Sequence, residues 1–332
     1  TGVLSPHSRE DLLTKMCRFE YRPEAACRTF LQVLEHACSG SSELQAYLQR
    51  VFGYSLTGIT SEKALFILYG PSGTGKTTVL TAIKETFPEY STTIQVETLM
   101  ADRFVALSNT QQSDLADLKG ARFVQTSEVE SGHRLREGLV KRITQGMGII
   151  KACRKYQDPI EFKESHKLFI DANHRPEVHD GVGLWERIHV IPFLSVVPPG
   201  EQDRGILAKL QSEREGIAAW VMAGAKQWRE NPQGLHKPAA VLEASEDYQS
   251  SQDDLQEWAR QDCIFGPEYS TPALELYDAY GRFVQGSGSE GIRAIKKFKE
   301  AVCLRFGLTH KRTSAGNVYV GVGIKPAQSS AK

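Results

Sequence analysis

The sequence predicts a mostly parallel α/β fold in its middle, flanked by an N-terminal helical module and a small C-terminal α+β module. Three observations predict it. From residue 60 to about 195, short apolar strands alternate with helical stretches, which implies a parallel sheet covered by helices. A complete glycine-rich loop, Gly70-Pro71-Ser72-Gly73-Thr74-Gly75-Lys76-Thr77, joins the first of these strands to a helix. The length of 332 residues exceeds what one hydrophobic core usually organises, so two or three domains are expected.

Composition narrows the classes. With 40% hydrophobic and 24% charged residues, wholesale disorder is excluded. Forty basic and forty acidic residues cancel, which excludes a chain-wide polycation but not local basic patches. The best apolar run, Ala64–Tyr69, is of strand length, so no membrane partner is expected. Six cysteines, at 17, 27, 38, 153, 263 and 303, show no two-residue spacing and suggest neither a zinc site nor a disulfide framework. A reducing cytoplasm fits them. The first Met is Met16, and the chain reads as a piece of something longer.

Residues 1–55 read as helical. Leu12, Leu13, Met16 and Phe19 recur at helical spacing after Ser8, an N-cap candidate. Pro23 suits the first turn of a second helix carrying Ala26, Phe30, Val33, Leu34 and Ala37. A third starts at Ser42 with Leu44, Tyr47, Leu48 and Val51. The module is expected to serve as a collar for packing or oligomerisation. Residues 56–235 form the central domain, with strands at Ala64–Tyr69, Thr93–Val96, Arg122–Thr126, Leu168–Asp171 and Ile188–Phe193. A helical stretch from Asp203 to Trp228 closes it, and Asn231-Pro232-Gln233-Gly234 with Pro238 marks a boundary.

Residues 236–325 begin with an acidic helical linker, Val241–Glu257, of net charge −6. A helix Pro272–Val284, the loop Gly286–Gly291, a helix Arg293–Phe306 and a strand pair, Leu308–Arg312 and Asn317–Gly321, then suggest a winged helix. Residues 326–332 are expected to be a disordered tail.

The glycine-rich loop carries the chemistry. Its glycines let backbone N–H groups, continuing to Thr78, curl round the phosphates of ATP at a helix N-terminus. Lys76 neutralises the phosphates, and the Thr77 hydroxyl coordinates Mg²⁺. Arg122-Phe-Val-Gln-Thr-Ser127-Glu128 is a strand ending in an acid, so Glu128 is the expected magnesium-side carboxylate. Lys167-Leu-Phe-Ile-Asp-Ala-Asn173 ends in an amide that can orient an attacking water. In Trp185-Glu186-Arg187, the Arg precedes the last strand, where it can reach a neighbouring subunit's phosphate. A GTPase is rejected: Asp180-Gly-Val-Gly183 follows no apolar strand, and no Asn-Lys-x-Asp motif occurs.

Two basic blocks offset the acidic linker. His133–Tyr156 carries a net +6, and Ile149–Phe162 within it reads as a hairpin turning near Gln157-Asp158-Pro159. Lys151, Arg154 and Lys155 beside Tyr156 offer charge for phosphates and a ring for bases. The second block, Arg293–Arg312, is also +6 and puts Lys297 on the expected recognition helix and Lys311 on the wing.

These motifs in this order resemble the superfamily 3 helicases of the phage and plasmid primase–helicase type. More distant kin are poxvirus primase–helicases and the replication helicases of papilloma- and polyomaviruses. The resemblance covers roughly Leu56 to Leu235. It rests on the phosphate loop, Gly120-Ala-Arg-Phe-Val with Ser127-Glu128, Lys141-Arg-Ile-Thr144-Gln-Gly146 and Pro159-Ile-Glu-Phe162. It continues through His166-Lys-Leu-Phe-Ile-Asp-Ala-Asn173-His-Arg-Pro176 and Trp185-Glu-Arg187 leading to Ile191-Pro-Phe193.

The resemblance implies a hexameric AAA+-like ring that translocates 3′→5′ on single-stranded DNA with ATP and Mg²⁺. It further implies forked or origin duplex DNA as a partner and a primase or polymerase domain in the full-length chain. Carried over by position, Glu128 is the second-motif acid, Asn173 the sensor, Arg187 the finger, and Lys151, Arg154 and Lys155 lie on the channel hairpin. Many relatives have two adjacent acids where this chain has Ser127-Glu128, so Glu128 serves two roles or Glu130 assists. The expected function is an ATP-dependent DNA helicase. The alternative is a replication initiator or loader that assembles on origin DNA with little unwinding. A small-molecule kinase leaves both basic blocks unexplained.

Overall fold

The computed structural model describes residues 5–101, 109–126, 133–178, 183–252, 254–286, 294–314 and 316–325. The chain divides into two compact units, Thr1–Tyr248 and Gln249–Lys332.

In the first unit, α1 (Arg28–Ala37) and α2 (Ser42–Thr57) precede β1 (Leu65–Tyr69) and α3 (Lys76–Thr86). Next come β2 (Ser91–Ile94), the short α4 (Val96–Leu99), α5 (Asn109–Asp117), β3 (Phe123–Thr126) and α6 (Glu137–Ile143). The strands β4 (Ile149–Ala152) and β5 (Ile160–Lys163) pair as an antiparallel hairpin. They are followed by β6 (Lys167–Ala172), β7 (Ile188–Pro192), α7 (Ile206–Ser212), α8 (Arg214–Glu230) and α9 (Ala239–Ser251). The main sheet has the order β2-β3-β6-β1-β7, with every pairing parallel.

Alternation along each inner strand sorts side chains onto two buried faces, which is why β1 is apolar along its length, whereas the edge strand β2 is mostly polar. Phe66, Leu68, Phe123 and Phe169 enter one core with residues of α1, α2, α3 and α8. Within it the Phe169 ring stacks on Phe66 at 4.9 Å and on Phe52 of α2 at 5.6 Å. Leu65, Ile67, Val124, Leu168 and Ile170 enter the opposite core with α5, α6 and Ile150 and Phe162 of the hairpin.

Five central strands stand where the alternation predicts them, shifted by at most two residues at an end. Other expectations change. The helix expected over Leu12–Phe19 is replaced by one short turn, Arg9–Asp11, and an irregular segment. There the Met16 N–H donates to Glu89 Oε2 (3.0 Å) and the Lys15 carbonyl accepts from the Tyr90 hydroxyl (2.9 Å), so tertiary partners take the groups a helix would pair. Ser8 still caps, but only that turn. The second helix starts at Arg28, with Pro23 in the preceding turn. Helices α1 and α2 share a core with the sheet rather than forming a module of their own.

The expected helix Asp203–Trp228 is two helices separated at Glu213, whose carboxylate accepts from the Thr29 and Phe30 N–H groups at the start of α1 (2.9 and 3.0 Å). The division between units falls after Tyr248, not near residue 235. Val241 and Tyr248 of α9 are fully buried in the first unit, and the Tyr248 hydroxyl donates to the Pro176 carbonyl.

The second unit contains α10 (Asp254–Asp262), β8 (Cys263–Pro272), α11 (Ala273–Gly286), α12 (Ile295–Phe306), β9 (Thr309–Thr313) and β10 (Gly316–Ile324). Its antiparallel sheet has the order β8-β10-β9, around a core of Trp258, Tyr280 and Phe298. Strand β8, which carries Pro267, was not expected. As an edge strand it tolerates a proline. Among the described residues no helix is long and apolar enough to cross a membrane.

Candidate functional site

The loop after β1 is shaped by what its neighbours leave no room for. The Gly70 N–H donates to Ala172 O (3.2 Å) and the Phe193 N–H to Tyr69 O (2.8 Å), which draws β7's end against the loop. A Cβ on Gly70 would lie 1.8 Å from the Phe193 carbonyl oxygen, so only glycine fits. Gly73 (φ 80°) and Gly75 (φ 89°) are left-handed, and Gly75 stands directly before α3. Pro71 and Ser72 are exposed, whereas the Thr74 hydroxyl is turned inward and donates to Pro71 O at 3.0 Å. The first turn of α3, Lys76 to Thr78, presents N–H groups that a helix leaves without an intrahelical acceptor, at the positive end of its dipole. Such a turn attracts an anion.

Lys76 is 4% exposed. Its Nζ donates to Gly70 O (2.8 Å), Pro71 O (2.8 Å) and Asn173 Oδ1 (2.7 Å), and lies 4.0 Å from Asp171 Oδ1. The Thr77 hydroxyl donates to Asp171 Oδ2. The register explains the meeting: Leu68 pairs with Asp171 and Tyr69 with Ala172, so the polar end of β6 arrives beside the start of the loop. Asn173 is therefore brought to Lys76. Asp171 was missed, having been read as the end of an apolar strand. Its signal was an acid two residues before Asn173, a spacing that puts both on one strand face.

The expected acid Glu128, with Ser127 and Glu130, lies outside the described residues. Among the described residues no cluster of three or more His, Cys, Asp or Glu could hold a metal. A hydroxyl and a carboxylate oxygen beside an anion-binding turn nevertheless suit a hard cation such as Mg²⁺, which keeps few protein ligands and takes the rest from phosphate and water.

Arg187 is not brought to Lys76. It precedes β7 at the end of the sheet opposite the loop, and its carbonyl accepts from the Leu65 N–H (2.7 Å). Its guanidinium donates to the carbonyls of Gly183 (3.0 Å), Lys141 (3.3 Å) and Thr144, gathering the C-terminal end of α6.

The hairpin exists, with its connection at Cys153–Pro159 and its turn near Lys155-Tyr156, slightly earlier than expected. Lys151 pairs with Glu161 across the strands (3.3 Å), and Arg154 pairs with Asp117 of α5. Both pairs are largely exposed, so they contribute little to stability. Lys155 is exposed, with Nζ 4.8 Å from the Tyr156 ring centroid. Tyr156 is 92% exposed and left-handed (φ 62°), a conformation a bulky residue seldom adopts. In the second unit Lys297 on α12 and Lys311 on β9 are exposed.

Three comparisons bear on this geometry. A family of unknown function, DUF5906, matches residues 68–187, from the end of β1 to Arg187. A curated protein of Acanthamoeba polyphaga mimivirus, named "Putative helicase", is 25% identical over 255 residues. That match takes in 71% of this chain but only 26% of the mimivirus protein's length. Two apo structures of the NrS-1 C-terminal region superpose with TM-scores of 0.52 and 0.53 at 13% and 14% identity. They cover 92% of this chain and 80% and 79% of theirs, which shows a shared fold. The matches fit a phage-type primase–helicase. That is the family the motifs of this chain resemble, and the shared fold is a mostly parallel α/β sheet with many helices.

Proposed function

We propose that this chain is the ATP-driven motor of a primase–helicase, working on single-stranded DNA. The observation that carries the reading is the 2.7 Å contact between Lys76 Nζ and Asn173 Oδ1, across paired strands at the mouth of a glycine loop. It unites a phosphate-binding cation with a polar group able to sense the terminal phosphate. Lys76 would exchange the Gly70 and Pro71 carbonyls for phosphate oxygens, which are the stronger acceptors. Asn173, released from Lys76, would orient the attacking water. Thr77 would hold Mg²⁺, whose chemistry is to neutralise charge on the phosphates. Glu128 is the proposed general base. Arg187 is proposed as a finger acting on a neighbour's nucleotide, which requires an oligomer, and a hexameric ring with 3′→5′ movement follows the family resemblance.

The hairpin supplies the DNA contact in this reading. Lys155 is a bare cation at an exposed turn beside an exposed ring, as a strand of nucleic acid requires. Lys155→Ala is expected to leave basal ATPase near normal, remove most DNA stimulation and nearly all fork unwinding, and reduce the salt slope of single-strand binding by about one unit. Normal unwinding with an unchanged salt slope would mean that the hairpin is only a solvated surface.

A second reading is favoured by one observation. The second unit runs helix, strand, two helices and two strands with basic residues on α12 and β9, which supports a winged helix that binds duplex DNA. An initiator that loads on origin DNA would use it. Forks bearing only a 3′ or only a 5′ tail separate the two readings: a motor unwinds one of them, whereas a loader binds duplex and unwinds neither.

A further inference from the structure

We propose that Asp171 makes nucleotide binding at the glycine loop depend on a divalent cation. The inference rests on the nucleotide-binding reading above and goes beyond it in naming a residue and a consequence. A threonine hydroxyl has one proton and two lone pairs. Here the proton is committed to Asp171 Oδ2, so the lone pairs of Thr77 are turned away from the carboxylate and left for a cation. The other carboxylate oxygen lies 4.0 Å from Lys76 Nζ. Asp171 is only 5% exposed, on a strand whose neighbouring residues are wholly buried, so its charge is poorly screened by water.

Two consequences follow from where that charge sits. A phosphate that replaces the loop carbonyls at Lys76 comes within a few ångströms of a carboxylate of like sign. Without a counter-ion the two repel, which offsets part of the attraction Lys76 offers. Thr77 would hold a divalent cation close to Asp171, where its charge would offset the repulsion. Asp171 thus acts through Thr77 and the cation as a positioning residue.

The test is an affinity measurement, independent of turnover. Binding of a fluorescent non-hydrolysable ATP analogue, mant-AMP-PNP, is titrated in EDTA and in Mg²⁺ for the full chain and for Asp171→Asn, which keeps an oxygen to accept from Thr77. In the wild type, Mg²⁺ is expected to tighten binding. In Asp171→Asn the ratio of the two dissociation constants is expected to shrink at least about tenfold, and binding in EDTA to become about threefold tighter, because the repelling charge is gone. A role confined to folding would instead weaken both constants together. Asp171→Ser, smaller and still polar, provides the same reading should the amide variant fail to fold. An unchanged ratio, or parallel weakening in both buffers, overturns the proposal. If the wild type binds the analogue in neither buffer, the nucleotide reading itself has failed, and this inference with it.

Discussion

Lys167 opens β6 as a lysine that is 2% exposed. Its Nζ donates to the Ser55 and Ser165 carbonyls (3.2 and 3.3 Å) and lies 4.5 Å from the Tyr54 ring centroid. Burial, followed by repulsion from Arg122, pushes its pKa from 10.5 down to about 7, while Glu164 pulls the other way. Between those two values the unfolded chain binds the extra proton, so the Lys167 contribution to stability rises with pH across that window. It is lost as pH falls back toward 7. Lys167→Met removes the titration and keeps the length. Denaturant unfolding at pH 7 and at about pH 9.5 should show the wild type gaining of the order of 2 kcal/mol more than the variant. Equal gains in both would place the rise elsewhere.

Arg187 poses a sharper question at the same scale, because its guanidinium already serves three carbonyls. Arg187→Ala should lower stability by about 1–3 kcal/mol through those orphaned acceptors. A finger acting in trans predicts something more. Mixtures of Arg187→Ala with Lys76→Ala should regain ATPase at interfaces that join an intact pocket to an intact arginine. Assembled mixtures without any recovery at any ratio would leave Arg187 a purely structural residue.

Among the elements, α2 and α8 approach closely because each offers a glycine at the crossing. A Cβ on Gly53 would lie 2.0 Å from the Ala225 nitrogen, and one on Gly224 would lie 1.9 Å from the Gln49 carbonyl oxygen. Backbone cannot yield as a flexible side chain does. Gly53→Ala and Gly224→Ala should therefore each cost about 1–3 kcal/mol, against the helix-propensity gain that alanine normally brings. Gly138 on α6 is the control: among the described residues nothing lies within 4 Å of its Cβ position. Gly138→Ala should leave the melting temperature unchanged or slightly raised, and a loss equal to that of Gly224→Ala would contradict the packing argument.

For the whole molecule, the division after Tyr248 decides where the chain can be cut. Truncation at Pro238 removes Val241 and Tyr248, both fully buried, and with them the Ser245 hydroxyl that accepts from the Val190 N–H (3.1 Å). It should destabilise the first unit by several kcal/mol, in the range of large-to-small core substitutions taken together. Truncation after Gln252 keeps that contact set, so the melting of the first unit should match that of the full chain. Fork unwinding should survive the second cut while duplex binding falls. A first unit that melts equally early after both cuts would show that α9 is dispensable.

Local pattern was enough for the five central strands, the glycine loop and the hairpin. Each depends on residues near in sequence: two-residue alternation, glycines where a Cβ would collide, a turn between two short apolar runs. Leu12, Leu13 and Met16 show why periodicity alone was insufficient at the N-terminus. They have helical spacing but remain 83%, 65% and 57% exposed, because Glu89 and Tyr90 take the backbone groups between them. The same kind of distant partner divided α7 from α8 at Glu213 and set α9 into the first unit. Asp171 was legible as a residue but not as a neighbour of Thr77. Its role depends on the parallel register of β1 and β6, a pairing across about a hundred residues of chain that only the folded sheet decides.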